Sequence, residues 1–302
     1  MMVKCRHHCE IESAVLGNEL PRLHKLVGLR EGFNIDSTEF MCFAVVEKAG
    51  FGSVAFVTDS PGDFKAEKVF FYSNIENPME RAAYSVDIKT GNVTRITTAK
   101  GTHSIIANAK GDMFIDMYSS TTVPYQALLV SDKGKTIKEI HTSANPLAEY
   151  QMPEIEVGTI KSADGVSDLC YRLIKPINYN DGKKHPVLVY VYGGPHSQMV
   201  TESWMAGANL YFMFLAQQGY VVFTVDNRGT DNRGFEFESI IHRNLGVAEM
   251  ADQMKGVEFV KSLPYVDVNR IGVEGWSYGG FMTLSCCARL PKLWACAVAQ
   301  VG

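Results

Sequence analysis

The sequence has no apolar run long enough to cross a bilayer, which takes about 20 consecutive apolar residues. Its longest apolar stretches, Val187–Tyr192 and Tyr220–Val225, have the length of a buried strand. The first residues also lack the apolar core of a secretory signal peptide. We therefore expect no membrane segment in this chain, and its composition assigns no cellular location.

Excess charge of one sign and an ordered cysteine pattern are also missing. The net charge is −4 over 302 residues, without a basic stripe, so nucleic acid is not an expected partner. The seven cysteines are odd in number and irregularly spaced, which argues against a disulfide framework. Cys5, His7, His8 and Cys9 lie close together, but no second ligand pair follows at zinc-finger spacing. We expect neither a metal nor an organic cofactor.

Three segments of different character are present. Residues 1–36 show no clear periodicity and receive no assignment. Residues 37–145 carry short strand-like runs punctuated by Lys-Gly and Thr-Gly turns, which is typical of an all-β region. Residues 146–302 alternate short apolar strands with helical patterns, after a boundary that contains Pro146 and Pro153.

An internal repeat in the second segment predicts part of a β-propeller. Tyr84–Thr97 is echoed by Leu128–His141, with aliphatic residues in matching positions. A period of roughly 40–50 residues with four strands per unit is typical of propeller blades. About two blades fit here, and since a closed ring has about four or more, we expect the other blades upstream. An unrelated meander of antiparallel hairpins is the alternative.

The third segment predicts a doubly wound, mostly parallel sheet. Short strands that are apolar throughout are buried on both faces, and amphipathic helices between them provide the cover. Right-handed crossovers then place the turn after the strand Arg270–Glu274 near the middle of the sheet. The predicted strands are Ile155–Lys161, Leu169–Leu173, Val187–Tyr192, Tyr220–Asp226, Arg270–Glu274 and Ala295–Ala299, with helices at about 203–217, 247–262 and 279–289.

A Gly-x-Ser-x-Gly-Gly motif, Gly275–Gly280, stands between a predicted strand and a predicted helix. This context is that of a nucleophile elbow, in which a sharp, strained turn raises a serine hydroxyl at the helix N-terminus. Ser277 is therefore the candidate nucleophile of an α/β hydrolase. The alternative is a glycine-rich turn that only permits close packing.

The loop after Val187–Tyr192 is the candidate oxyanion loop. Tyr192 is followed by Gly193 and Gly194, which allow the backbone to approach a substrate carbonyl. In this fold the loop faces the elbow. The phenol of Tyr192 and the backbone N–H of Tyr278 are the candidate oxyanion donors. The alternative for Tyr192 is an aromatic ring that packs over the sheet end.

These motifs resemble the dipeptidyl peptidase IV branch of the prolyl oligopeptidase family. The resemblance is specific over about 155–302, moderate over about 66–145 and absent in the head. It rests on Gly-Trp-Ser-Tyr-Gly-Gly at the elbow, on Val191–Pro195, on Asp226–Gly229, and on Leu245-Gly246 followed by Glu249, Asp252 and Gln253. It implies a β-propeller joined to a C-terminal α/β-hydrolase domain.

The resemblance also implies an activity and roles for individual residues. Such enzymes release N-terminal X-Pro or X-Ala dipeptides through an acyl-enzyme, from peptides with Pro or Ala at the second position, and intact relatives form homodimers. Ser277 is then the nucleophile, Tyr192 and the Tyr278 N–H form the oxyanion hole, and Tyr278 and Val301 line the pocket for the proline ring. Trp276 becomes a packing residue beside the elbow. Asp226, Arg228, Glu249 and Asp252 become structural residues.

Two departures from the family pattern qualify this assignment. No Asp, Glu or His follows Ser277 in these 302 residues, so the family's catalytic Asp and His are expected beyond Gly302. The glutamate pair that grips the substrate ammonium has no match and is expected upstream. We therefore expect a C-terminally truncated hydrolase domain that is inactive alone. The alternatives are an acylaminoacyl peptidase or esterase of the same fold, or a non-catalytic peptide-binding remnant.

Overall fold

The computed structural model describes residues 55–57, 68–87, 90–108 and 110–300. The unassigned head, residues 1–36, lies outside the described residues, and so does Val301. Within the described ranges, no helix combines the length and the apolar character that a membrane span requires.

Two four-stranded antiparallel sheets form the all-β region, and each is a meander with its strands in chain order. Val86 and Val130, which the repeat aligns, occupy the third strand of the first and second sheet, respectively. Two consecutive meanders of this kind are propeller blades, as the repeat predicts. The first contains β1 (Ala55–Val57), β2 (Lys68–Ser73), β3 (Ala82–Asp87) and β4 (Val93–Arg95), and the second β5 (Thr102–Ala107), β6 (Met113–Ser119), β7 (Gln126–Ser131) and β8 (Thr136–Thr142).

The two blades share one apolar core. Phe70 of the first blade meets Phe114 of the second edge to face, with ring centroids 5.0 Å apart, and Ile96 and Ile105 are buried beside them. Every residue of β8 is exposed, as expected of an outer edge strand. The face between the blades is therefore where this region gains its stability.

A six-stranded mixed sheet forms the rest of the described chain, in the order β14-β13-β11-β12-β10-β9. The pairs from β12 through β11 and β13 to β14 are parallel, whereas β9 and β10 join the sheet as an antiparallel hairpin. Its strands are β9 (Ile155–Lys161), β10 (Asp168–Ile174), β11 (His185–Tyr190), β12 (Val221–Val225), β13 (Val266–Trp276) and β14 (Cys296–Gln300).

Helices cover both faces of this sheet, which is why its central strands are apolar throughout. On one face, α1 (Leu210–Gln217) packs Phe212 and Met213 against β10 and β12. On the other, α3 (Ala248–Ser262) and α4 (Tyr278–Arg289) pack against β11, β12 and β13. The arrangement is the doubly wound α/β-hydrolase sheet that the sequence predicts.

The helix predicted over about 203–217 is shorter than the pattern indicates. Met205 and Ala206 have φ values of 54° and 55°, so the chain turns with left-handed geometry there. The helix begins only at Leu210, where the Asn209 side chain accepts a hydrogen bond from the Phe212 N–H at 3.1 Å. The loop predicted after β12 contains a short helix, α2 (Phe235–Ser239), that the sequence pattern did not reveal.

The segment 198–204, called the bridging segment below, connects the hydrolase sheet to both blades. It continues the candidate oxyanion loop and has backbone and side-chain hydrogen bonds with the blade region. The Glu202 carboxylate, which is buried, also pairs with the Lys100 ammonium at 2.9 Å. The other bonds run from Gln198 Nε2 to Pro78 O (2.8 Å), from Glu202 N to Met79 O (2.7 Å), from Trp204 N to Ser119 Oγ (3.0 Å) and from Thr102 Oγ1 to Glu202 O (3.5 Å).

Candidate active site

Ser277 occupies the single residue between β13 and α4. Its φ of 56° and ψ of −118° fall in a region that residues with a Cβ rarely adopt. The residue is solvent-exposed. An exposed serine in a strained strand-to-helix turn has the geometry of a nucleophile elbow.

The glycines around Ser277 are required by close backbone contacts. A Cβ on Gly275 would lie 2.3 Å from the carbonyl oxygen of Gly279, and one on Gly279 would lie 2.1 Å from that of Val191. A Cβ on Gly280 would lie 2.7 Å from the carbonyl oxygen of Gln300. The turn is therefore closely packed and also carries a strained, exposed serine. The glycines are needed because a Cβ at any of these three positions would clash with the backbone.

Hydrogen bonds on both sides fix the elbow backbone. The Ser277 N–H donates to Gln300 O at 3.0 Å, and the Ser277 carbonyl accepts from the N–H groups of Gly280 and Phe281 at 2.8 and 3.2 Å. The N–H of Tyr278 is a first-turn donor of α4, a position that has no acceptor within the helix. Such a donor next to a serine hydroxyl suits a developing oxyanion.

Tyr192 lies directly after β11, and its ring is close to that of Tyr278. The ring centroids are 6.1 Å apart, and Tyr192 is half-buried. A Cβ on Gly194 would lie 2.4 Å from Cγ of Tyr278, so the oxyanion loop and the Tyr278 ring are in direct contact. The structure thus brings Tyr192 and Gly194 to the ring of Tyr278, the residue that follows Ser277. The pocket role predicted for Val301 concerns a residue outside the described ranges.

The phenol of Tyr278 has a partner that the sequence did not reveal. It donates to Oε1 of Glu249 at 2.7 Å. Burial, followed by this hydrogen bond to a carboxylate, raises the pKa of Tyr278, so the phenol stays protonated and remains a donor. The family resemblance implied for Glu249 only a structural role in its own helix, α3. It does accept from Gly246 N and Val247 N there, at 2.9 and 3.1 Å.

Asp226 and Arg228 make structural contacts after β12. The Asp226 carboxylate accepts from the N–H groups of Met199 and Val200, at 2.9 and 2.8 Å. Burial raises its pKa to about 6, although those bonds and the Arg172 charge act in the opposite direction. Arg228 donates from Nε and from one terminal nitrogen to Asp252, both at 2.9 Å.

Two further residues near the motifs contribute no catalytic contact here. His196 is an exposed loop residue whose Nδ1 lies 3.0 Å from a carboxylate oxygen of Glu238. The indole of Trp276 is 62% exposed, so the packing role expected for it is not seen among the described residues. In the same part of the chain, no group of three or more His, Cys, Asp or Glu side chains could hold a metal ion.

Comparisons with known protein families assign both regions. Residues 205–302 match the model described as "Prolyl oligopeptidase family". Residues 52–125 match the model described as "Dipeptidyl peptidase IV (DPP IV) N-terminal region". The two matches fall on the hydrolase sheet and on the blades, in the order that the sequence predicts.

Curated relatives carry the same description. The chain is 33% identical over 243 residues to dipeptidyl peptidase 8 of Homo sapiens, which covers 76% of this chain and 27% of the relative. It is 36% identical over 229 residues to dipeptidyl peptidase 4 of Arthroderma otae, covering 73% of this chain and 29% of the relative. The chain therefore spans less than a third of the length of these relatives.

Solved structures agree in fold. A putative dipeptidyl aminopeptidase IV from Bacteroides ovatus is 42% identical, with a TM-score of 0.74 over 82% of this chain and 35% of the other. Dipeptidyl peptidase 4 of Porphyromonas gingivalis is 32% identical, with a TM-score of 0.72 over 81% of this chain and 35% of the other.

Proposed function

The chain belongs to the dipeptidyl peptidase IV branch of the prolyl oligopeptidase family, and from this premise we propose that it is part of a serine exopeptidase. Its substrates are peptides from which it releases N-terminal dipeptides with Pro or Ala at the second position. The observation that carries the proposal is the strained, exposed Ser277 at the elbow, followed by Tyr278, whose ring centroid lies 6.1 Å from that of Tyr192. The substrate preference rests on the family alone.

The chemistry begins with attack of Ser277 Oγ on the carbonyl carbon of the second residue of the peptide. The carbonyl oxygen becomes an oxyanion, which accepts hydrogen bonds from the Tyr192 phenol and the Tyr278 N–H. Collapse breaks the C–N bond, the amine leaves with the proton that Ser277 Oγ gave up on attack, and the dipeptide stays on Ser277 as an ester. Water then attacks the ester and releases the dipeptide acid. The ring of Tyr278 forms a wall of the pocket for the second residue.

Ser277, Tyr192 and Tyr278 do not supply a proton acceptor for the Ser277 hydroxyl. In this fold the Asp and His follow the serine in chain order, and no Asp, Glu or His follows Ser277 here. Oxyanion stabilisation and binding alone retain about 10³–10⁴-fold catalysis over water. We therefore infer that the 302-residue chain alone does not turn over peptides and that turnover needs a protein in which the acid and base are present.

The proposal is tested with the full-length protein on two substrates that differ only at the N-terminus. Ala-Pro aryl amide should be hydrolysed, and N-acetyl-Ala-Pro aryl amide should not, because an exopeptidase of this kind needs a free ammonium. Cleavage of the acetylated substrate would contradict the exopeptidase assignment, and hydrolysis of N-acetyl-Ala aryl amide, which releases a single acylated residue, would favour an acylaminoacyl peptidase. Cleavage of neither would overturn the dipeptidyl assignment.

Labelling with a fluorophosphonate tests the nucleophile itself. The label should attach to Ser277 in the full-length protein and should be absent from S277A. Labelling without hydrolysis of either amide would favour an esterase of the same fold. Absence of labelling would favour a non-catalytic remnant. The homodimer that the family suggests is tested separately, by light scattering during size-exclusion chromatography.

A further inference from the structure

We propose that Glu249 is a positioning residue of the active site, which acts by holding the Tyr278 side chain in one place. The inference rests on the proposed function of Ser277 and deepens it. Glu249 does not touch the reacting atoms in this proposal. It acts through Tyr278, whose N–H and ring form two sides of the site.

The Glu249 carboxylate is fully buried, and its position is set by its own helix. It accepts two hydrogen bonds from the backbone at the start of α3, from Gly246 N at 2.9 Å and from Val247 N at 3.1 Å. A buried carboxylate is costly unless it is well supplied with donors. These two bonds locate the carboxylate whether or not Tyr278 is present.

The third donor is the Tyr278 phenol, which comes from a different helix. Its bond to Glu249 is 2.7 Å long, a well-formed O–H···O hydrogen bond. Because the carboxylate is anchored on α3, this bond fixes the far end of the Tyr278 ring relative to α3. The elbow at the start of α4 is thereby tied to a second helix.

The Tyr278 ring is confined along its length as well. Its base lies against Gly194, where an added Cβ would come within 2.4 Å of the ring. The ring also meets Phe281 edge to face, with centroids 5.3 Å apart, and Tyr192 at 6.1 Å. Any swing of the ring therefore has to break the bond to Glu249 and move the oxyanion loop.

This restraint acts at the residue after the strained serine. Backbone geometry such as that of Ser277 is energetically costly and persists only where the surroundings over-determine it. The hydrogen bond from Tyr278 to Glu249 is one of the contacts that hold the elbow in this geometry. Its loss should let the oxyanion donor and the pocket wall drift, which lowers the rate of the chemical step more than ground-state binding.

A merely structural role predicts a different outcome, and Y278F separates the two. The substitution removes the phenol but leaves the Gly246 and Val247 bonds, so α3 keeps its N-terminal cap. E249A removes all three bonds. Y211F is the matched control, since Tyr211 also donates to a buried glutamate, Glu274 at 3.3 Å, but on the face of the sheet that α1 covers.

The experiment measures kcat and KM on Ala-Pro aryl amide and the fluorophosphonate labelling rate, using the full-length protein and its variants. In Y278F, kcat and the labelling rate should fall on the order of tenfold, with a smaller change in KM. The double variant Y278F/E249A should be no slower than E249A, because both changes break the same contact. Y211F should match the wild type.

Two results would overturn the positioning role. One is a Y278F variant whose kcat and labelling rate equal those of the wild type, while the activity lost in E249A is explained by the lower stability of that variant. The other is additive losses in the double variant. Failure of the proposed function looks different, because the wild-type protein is then neither labelled nor active, and the positioning role falls with it.

Discussion

The backbone of Ser277 shows how a single residue combines strain with exposure. Its φ and ψ suit glycine better than serine, yet glycine would carry no hydroxyl. The cost is borne by the surrounding hydrogen bonds and by the tight contacts of Gly275 and Gly279. Stability and reactivity at this position should therefore change in opposite directions.

S277G should raise the free energy of unfolding by about 1 kcal/mol, since it relieves 1–3 kcal/mol of strain and adds about 0.5–1 kcal/mol of unfolded-chain entropy. S277A keeps the Cβ, and with it the strain, so its stability should stay within about 0.5 kcal/mol of the wild type. Urea denaturation measures both. An S277G variant that is less stable than S277A by about 0.5–1 kcal/mol, the entropic cost of glycine alone, would show that the elbow is unstrained.

Asp226 is a second residue whose local energetics can be measured. Its folded-state pKa of about 6 lies above the unfolded value, so protonation favours the folded state. The stability associated with this group is fully present below about pH 4, the unfolded pKa, and is lost as the pH rises through 6. Arg172, whose pKa burial lowers to about 10, does not titrate in this window.

The difference in unfolding free energy between the wild type and D226N should accordingly shift in favour of the wild type by about 2 kcal/mol between pH 7.5 and pH 4.5. Asn does not titrate, and the carboxylates with lowered pKa values, such as Glu156, are common to both proteins and cancel. Urea denaturation across this range gives the difference. A constant difference would mean that the Asp226 pKa is not raised.

At the scale of elements, α3 is fastened to the sheet by one buried carboxylate. Asp252 accepts from the backbone N–H of Ala163 in the β9–β10 turn, at 2.8 Å, and from Arg228 after β12. Asp252 is fully buried. A helix, a hairpin turn and a loop therefore meet at a single side chain, and α3 in turn carries Glu249.

D252A should lower the free energy of unfolding by about 3–5 kcal/mol, because it leaves the Arg228 guanidinium without its buried partner. The control is D267A, which removes a surface pair with Arg270 and should cost less than about 1 kcal/mol. Chemical denaturation compares the two. Equal losses would mean that the Arg228 pair behaves as a surface pair.

At the scale of the whole molecule, the blades and the hydrolase sheet are joined by more than the linker at 143–154. The bridging segment bonds to both blades, and Asn74 Nδ2 donates to Asn232 O at 2.6 Å. Most of the linker is exposed, whereas these contacts are partly buried. Covalent continuity of the linker is thus not what holds the two regions together.

Proteolytic cleavage within 143–154 should leave two fragments that still co-elute in size-exclusion chromatography. The N74A/Q198A variant loses side-chain hydrogen bonds across the interface. Its fragments should therefore begin to dissociate at a protein concentration at least about tenfold higher than the concentration at which the wild-type fragments dissociate. Q126A removes a hydrogen bond within the second blade and serves as the control. Separation of the wild-type fragments on cleavage would contradict this expectation.

Local patterns in the sequence were sufficient for the fold and the elbow. The glycines around Ser277 and the repeat that aligns Val86 with Val130 are local signals, because a turn or a strand register dictates them. The left-handed turn at Met205 is different, since bonds to the blades and Arg172 shape the chain around it. The bond between Glu249 and Tyr278 joins two helices and leaves no pattern in either. The roles of Tyr192, Tyr278 and Val301 in catalysis remain predictions.

The bridging segment has a consequence for protein engineering. It starts a few residues after Tyr192, and its anchor points sit on two successive blades. In a chimera that joins this hydrolase half to a foreign propeller at the linker, the bridging segment would meet blades that lack its hydrogen-bond partners. Transplanting residues 78–79, 102 and 119 along with the hydrolase half would restore these hydrogen bonds. Insertions between Gln198 and Trp204 should be poorly tolerated, because they would displace the bridging segment from its partners.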